Sequence, residues 1–244
     1  MYKENKDFNY QGIIYLTELE KKLPDWLREK AELILSLIEG KRVLEVGCGI
    51  GSLTNFLFIK GYELFANDIS QLCIKEAMKK NLPITFIQGD ICDSSIWSNF
   101  SESFDTVIMS DVLEHIKERI IALRNVNFIL RERGILILKV PAYNFLYSSM
   151  DKKVGHLLRY SKDKLLEELK LSKFKLELCR YWNFLGIFGW LYLKYTGKDL
   201  KDLKMKNSLS KIYGNLLNWE SRLKMPLGLT LVVKARKWMK IIQP

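Results

Sequence analysis

The sequence predicts a doubly wound α/β fold: a mostly parallel, seven-stranded sheet with helices on both faces, a helical cap over residues 1–40 and an insertion before the last strand. Three observations lead there. Short apolar runs of strand length alternate with stretches of helical periodicity. The runs are nearly continuously apolar, as strands buried on both faces require. The first run leads into a turn that carries three glycines, Gly47, Gly49 and Gly51. No internal repeat and no Pro-, Ser- or Gly-rich linker divides the chain, so residues 41–244 read as one domain.

In residues 17–39, Trp26, Leu27, Ala31, Leu33, Ile34, Leu37 and Ile38 recur at helical spacing, and Gly40 supplies the stop. A strand over 42–47 precedes the glycine turn, and a helix over 52–60 ends at Gly61. A strand over 62–67 and a helix over 71–80 follow, then strands over 84–88 and 105–109. The helix over 118–130 is expected to end at Gly134, and the strand over 135–140 at Pro141. A loop over 142–159 leads to a helix over 161–171, with Ser161 as N-cap and Asp163 in its first turn. Residues 176–182 and 229–235 complete the strands, and 183–225 form an aromatic, basic insertion between them.

The 244 residues, 48% hydrophobic and 12% aromatic, exclude intrinsic disorder, and 14 Gly and 5 Pro exclude collagen-like or low-complexity classes. The net charge of +11 is unevenly placed. From Lys194 onward there are twelve Lys and Arg against three Asp and Glu, so the preceding residues are nearly neutral. Such a section favours a negatively charged partner: a phosphate-bearing substrate, an anionic membrane or nucleic acid. The four cysteines are scattered without metal-like spacing and read as reduced thiols. With an N-terminus too polar for a signal peptide and an apolar stretch over 181–193 too short to span a bilayer, the chain is expected to be cytoplasmic, with peripheral contact at the inner membrane face as a further expectation.

The turn reads Glu45-Val46-Gly47-Cys48-Gly49-Ile50-Gly51, one residue shorter than the G-x-G-x-x-G of dinucleotide sites. Glu45 would repel a pyrophosphate but accept a hydrogen bond from a cationic amino acid, which favours a sulfonium nucleoside over a dinucleotide. This run resembles motif I of the class I S-adenosylmethionine-dependent methyltransferases, a Rossmann-like family. Asp68 ends the second strand, where the family holds the ribose hydroxyls. Asp90 follows the third strand, where it reads the adenine amino group. Ser110-Asp111-Val112-Leu113-Glu114-His115 follows the fourth. The resemblance covers roughly 40–142 and implies S-adenosylmethionine as cofactor, held by Glu45, Gly47, Cys48, Gly49, Gly51, Asp68, Ile69, Asp90, Ile91 and Ser110, with the helix over 17–39 covering the site. Cys48 reads as a small turn residue and not as a nucleophile.

Methyl transfer to a hydroxyl needs a group that removes a proton, and the chain has two histidines, His115 and His156, both on the loop side of the sheet. Which of them is the base stays open at this level. His156 lies in D-x-x-x-G-H-x-x-R-Y (151–160), which resembles a signature of bacterial methyltransferases of surface-glycan, lipid and secondary-metabolite pathways. There Arg159 is expected to pair with an acceptor phosphate or carboxylate, and Tyr160 to donate a hydrogen bond. No metal site is assigned. The alternative is that Asp111, Glu114 and His115 act like the E-x-x-E-H run of quinone-pathway O-methyltransferases, which holds a divalent cation.

In YWNFLGIFGWLYL (181–193) the reading favours a strand running into a core helix that roofs the substrate pocket, with an interface-lying element as the alternative. Nucleic acid is disfavoured, because the lysines are spread singly and SDVL stands where base methyltransferases carry N/D-P-P-Y/F/W. The expectation is methyl transfer to oxygen, less so nitrogen, of a small-molecule or amphipathic, lipid- or glycan-linked acceptor. An RNA substrate and a metal-assisted reaction are the alternatives, and the oligomeric state is left open.

Overall fold

A computed structural model gives the architecture; it describes residues 6–198, 207–223 and 225–238. Strands β1 (Arg42–Val46), β2 (Glu63–Asp68), β3 (Thr85–Gln88), β4 (Phe104–Ser110), β5 (Leu130–Pro141), β6 (Phe174–Trp182) and β7 (Thr230–Lys237) form one sheet in the order β3-β2-β1-β4-β5-β7-β6. The pairings are parallel except where β7 runs antiparallel between β5 and β6. Residues 1–5 of the expected cap, parts of the basic insertion (199–206 and 224) and the basic terminus beyond 238 lie outside the described residues.

Helices α1 (Lys6–Lys22) and α2 (Pro24–Leu35) replace the single predicted N-terminal helix; Pro24 begins α2, where its missing N–H costs nothing. The sheet is then covered by α3 (Ser52–Ile59), α4 (Gln71–Met78), α5 (Ser94–Trp97), α6 (Arg119–Ile129), α7 (Ser149–Val154), α8 (Lys162–Leu171), α9 (Phe184–Thr196) and α10 (Asn207–Ser221). Period-two alternation in β5 divides the core between the two faces. Leu136, Leu138 and Val140 join Val126, Tyr160 and Leu165 on one side. Ile135 and Ile137 join Ile34, Leu57, Trp182 and Leu217 on the other. Ser161 caps α8 as the sequence predicts, accepting from the Lys164 N–H.

Three local expectations are corrected. The helix after β4 stops at Ile129, because Leu130 already pairs with Phe104; the register then slips, so that Ile135 faces Thr106, with Arg133 at φ +60° in the bulge. The loop over 142–159 contains α7. The stretch over 184–196 is a surface helix, not a core one: α9 buries only Leu193.

The basic residues of β7 are largely neutralised within the chain. Arg236 pairs with Glu39 and Glu177, Lys234 with Glu39, and Lys237 with Glu102.

The chain enters β1 through Gly40, at φ +76°, where an added Cβ would lie 2.3 Å from that of Asp105. Asp105 uses one carboxylate oxygen to accept the N–H groups of Lys41 and Arg42, both at 2.9 Å. Gly40→Ala must therefore strain the backbone and displace this anchor together. Urea unfolding should show a loss of more than about 2 kcal/mol; an unchanged midpoint would contradict the role given to the glycine.

Candidate active site

The carboxyl ends of β1, β2 and β4 converge on the glycine turn, the place where an open α/β sheet binds ligands. Gly47, Gly49 and Gly51 all have positive φ. Asp68, at the end of β2, accepts the Gly49 N–H with one carboxylate oxygen and the Ser70 N–H with the other, both at 2.8 Å. Gly51 caps α3 without a side-chain hydrogen bond, which leaves that helix end open to a ligand. An added Cβ at Gly49 would meet Leu16 of α1 at 2.8 Å, and one at Gly47 would meet Val112 at 2.3 Å. The turn is thus covered by α1 on one side and by the loop after β4 on the other.

Glu45 is buried and accepts a 2.6 Å hydrogen bond from Thr54 Oγ1. Burial pushes its pKa up to about 7, against the opposing pull of Thr54 and the Lys30 charge. Cys48 is buried, and desolvation together with the charges of Glu45 and Asp68 pushes its thiol up, so it is no nucleophile. Asp90 accepts the Cys92 N–H at 2.8 Å, while Asp93 is the N-cap of α5. Ile69 is exposed beside Asp68. The Ile91 side chain packs into the core, so any cofactor contact at this position would come from its backbone. Ser110 donates to Asp111 at 3.3 Å.

Beyond the turn, Asp111 at φ +60° pairs with Lys139 Nζ at 2.6 Å and Lys30 Nζ at 3.4 Å. Both ammonium groups lie over the Trp26 ring. Burial opposes its ionisation, but Lys139 and Lys30 outweigh it and hold the Asp111 carboxyl well below its usual range. Asp111 is thereby committed to the lysines and does not join Glu114 and His115 as the D-x-x-E-H reading supposed.

Glu114 and His115 meet His156 instead. Each of the three offers a ligand atom, and these atoms lie within 4.8 Å of one another. Glu114 is 0% exposed, and its carboxylate oxygens find no hydrogen-bond partner among the described residues. Burial, then the Asp111 charge, raises its pKa well above the ordinary value. The His115 ring meets His156 edge-on at 4.8 Å, and burial lowers its pKa to about 4. It is a neutral wall of the site.

Asp151 orients His156: its Oδ1 lies 2.7 Å from Nδ1, while Nε2 faces Glu114 Oε1 at 3.7 Å. An ionised carboxylate only accepts, so Nδ1 carries a proton, and in the neutral ring the lone pair is on Nε2. Arg159 and Tyr160 require correction. Arg159, 3% exposed, gives its Nε–H to Asp151 at 2.8 Å, donates to the Ala142 carbonyl and stacks against Trp190. Tyr160 is fully buried and donates to Glu168 at 2.9 Å. Both fasten the loop, and their polar groups are taken up by these protein partners.

Sequence reasoning missed Lys30, Lys139 and Asp151. Lys139 carries a visible signal, a charge inside the apolar run ILILKVP. Lys30 stands four residues after Trp26, on one helix face. Asp151 opens the stretch that contains His156, but its five-residue reach to that ring depends on α7.

Because folding raises the Glu45 pKa from 4.5 to about 7, the unfolded chain releases this proton first as pH rises. The folded state is unpenalised below pH 4.5 and loses stability up to about pH 7, by roughly 3 kcal/mol in all. Glu45→Gln should therefore raise the melting temperature more at pH 8 than at pH 4.5; an equal change at both would contradict the buried, neutral carboxyl.

Residues 15–201 match the family model described as "Methyltransferase domain". The sequence is 30% identical over 126 residues to Nodulation protein S of Azorhizobium caulinodans, covering 48% of this chain and 59% of that one. It is 28% identical over 85 residues to the Ubiquinone biosynthesis O-methyltransferase of Photorhabdus laumondii, covering 33% and 35%. The chain thus spans less than two-thirds of either relative. The fold resembles a SAM-dependent methyltransferase from Archaeoglobus fulgidus with a TM-score of 0.63 at 14% identity, over 91% of this chain and 100% of that one.

Proposed function

The chain belongs to the class I S-adenosylmethionine-dependent methyltransferases, and on that premise we propose that it methylates an oxygen of a small, amphipathic acceptor with His156 as the base. The observation that carries the proposal is the 2.7 Å contact from buried Asp151 to His156 Nδ1, which leaves Nε2 as a proton acceptor.

The residues of the turn fit the family's cofactor. Asp68 supplies a carboxylate for the ribose hydroxyls, and Ile69 an apolar surface beside it. The glycine turn gives close backbone approach, as its positive φ values require. Glu45, neutral while buried alone, would give up its proton beside the cofactor's ammonium, and Lys30, beside Asp111, offers a positive charge for the carboxylate of the same amino-acid end. When bound, S-adenosylmethionine supplies a methyl carbon already activated by its sulfonium sulfur. The protein's part is to place and deprotonate the acceptor. His156 Nε2 would take the hydroxyl proton, the freed oxygen would gain the methyl group as its bond to the sulfonium sulfur breaks and leaves a neutral thioether, and Asp151 would stabilise the resulting imidazolium. Leu157, next to His156, and Phe145, on the loop after β5, are exposed apolar side chains, which suits an acceptor with a greasy portion. The name of the Photorhabdus relative favours oxygen. The pairing of Lys234, Arg236 and Lys237 with acidic side chains disfavours an RNA acceptor, since those charges are already partnered.

A second reading rests on the approach of Glu114, His115 and His156: a divalent cation held there would lower a phenol's pKa in place of the base. The two readings separate on chelation. Under the base mechanism, dialysis against EDTA leaves turnover unchanged, whereas loss of activity restored by a divalent cation would transfer the role to the metal.

Two substitutions test the assignments. His156→Ala should lower kcat about 100-fold while the thermal shift caused by S-adenosylmethionine is kept; loss of that shift would make His156 structural. Asp68→Ala should abolish most of the shift, and a full shift in this variant would refute the ribose contact.

A further inference from the structure

We propose that the outward faces of α9 and α10 dock on a lipid bilayer that contains anionic lipid. The inference rests on the surface alone and does not depend on which acceptor atom is methylated.

On α9, Leu185, Phe188, Tyr192 and Tyr195 are all exposed, Tyr195 to 81%. Their spacing of three, four and three residues puts them on one side of the helix. On α10, Ile212, Leu216 and Trp219 repeat the pattern, with Trp219 60% exposed. Among the described residues no helix is long and apolar enough to cross a membrane, so these stripes are suited to lying in an interface and not to spanning a bilayer.

Charge selects the occupant. Among the described residues from Lys194 to Arg222, the basic side chains Lys194, Lys198, Lys211 and Arg222 stand against one acid, Glu220. Glu220 is buried and turned inward, accepting the N–H groups of Asn183 and Phe184 at the start of α9. A second copy of the chain would bring this positive excess against itself, because a two-fold interface sets the same patch on both sides. Anionic headgroups complement it, and Tyr and Trp beside Lys match the chemistry of a headgroup layer.

The inner side of α9 ties this face to the catalytic loop. Trp190 Nε1 donates to the Leu146 carbonyl at 3.0 Å, and Lys194 Nζ to the Phe145 carbonyl at 2.6 Å. The Trp190 ring lies 4.2 Å from the guanidinium of Arg159, which shares Asp151 with His156. A bilayer on the outer face would thus lie one helix diameter, about 10 Å, across α9 from the loop that carries Phe145 and Leu146.

The test is co-sedimentation of the full chain with vesicles of phosphatidylcholine alone and with vesicles containing about a third phosphatidylglycerol. The wild type should pellet with the anionic vesicles at low salt, weaken as salt rises, and bind neutral vesicles at least about tenfold less well. Phe188→Ser with Tyr195→Ser should lower binding about tenfold while keeping the thermal shift caused by S-adenosylmethionine. If that double variant loses the shift, Lys211→Glu with Arg222→Glu makes the same comparison through charge. Equal binding to both vesicle types, no binding to either, or full binding by a folded variant would overturn the proposal. So would a dimer in sedimentation velocity that the double variant dissociates, with no vesicle binding.

Discussion

The acceptor half of the molecule depends on one buried negative charge. Asp151 is 0% exposed, and a carboxylate so placed is tolerable only when its oxygens are occupied by donors. Oδ2 accepts the Ser148 N–H and closes the capping box that starts α7. Oδ1 accepts from His156 and Arg159 together. Burial tends to raise the Asp151 pKa, yet His156 and Arg159 outweigh it and hold the carboxyl below its usual range. Through Arg159 the same charge reaches the Ala142 carbonyl just beyond β5 and the Trp190 ring of α9. One carboxylate therefore fixes a helix start, the tautomer of the histidine and the seat of a neighbouring helix.

The cofactor half is built differently, mostly from backbone. Glycines at positive φ shape the turn, and Asp68 fastens it by accepting N–H groups from Gly49 and Ser70. Val112 joins the halves: its side chain sits where a Cβ on Gly47 would stand, and it belongs to the loop that carries Glu114 and His115. Lys30 and Lys139, drawn to Asp111 beneath the Trp26 ring, place positive charge between the halves. Removing Asp111 would leave Lys139, 2% exposed, as an unpaired buried charge, an expensive arrangement.

The sheet was legible because its signals are local. Each strand announces itself by an apolar run and each turn by its glycines, so strands and the cofactor turn fall where the sequence places them to within a few residues. Failures cluster where a partner is distant or a pattern is shared. Arg159 and Tyr160 read as ligand-facing groups because the sequence shows a charge and a hydroxyl but not their partners, Asp151 and Glu168, each eight residues away and placed by helices. Gly134 looked like a helix stop, but the pairing of Leu130 with Phe104 ended α6 earlier. Apolarity alone cannot tell a core helix from a surface one, and α9 buries only Leu193. The charge excess of the last section also changed meaning. Part of it is consumed by Glu39, Glu102 and Glu177, remote in sequence, while Lys211 and Arg222 stand exposed on and just after α10.

The central claim is that His156, oriented by Asp151, faces the methyl group at the moment of transfer. A crystal structure with S-adenosylhomocysteine measures this most directly. The account predicts the cofactor sulfur about 6 to 8 Å from His156 Nε2, room for one acceptor oxygen between methyl and base, with the contact from Asp151 to Nδ1 intact. A sulfur directed away from His156 and more than about 12 Å from it, or an Asp151 turned off the ring, would contradict it.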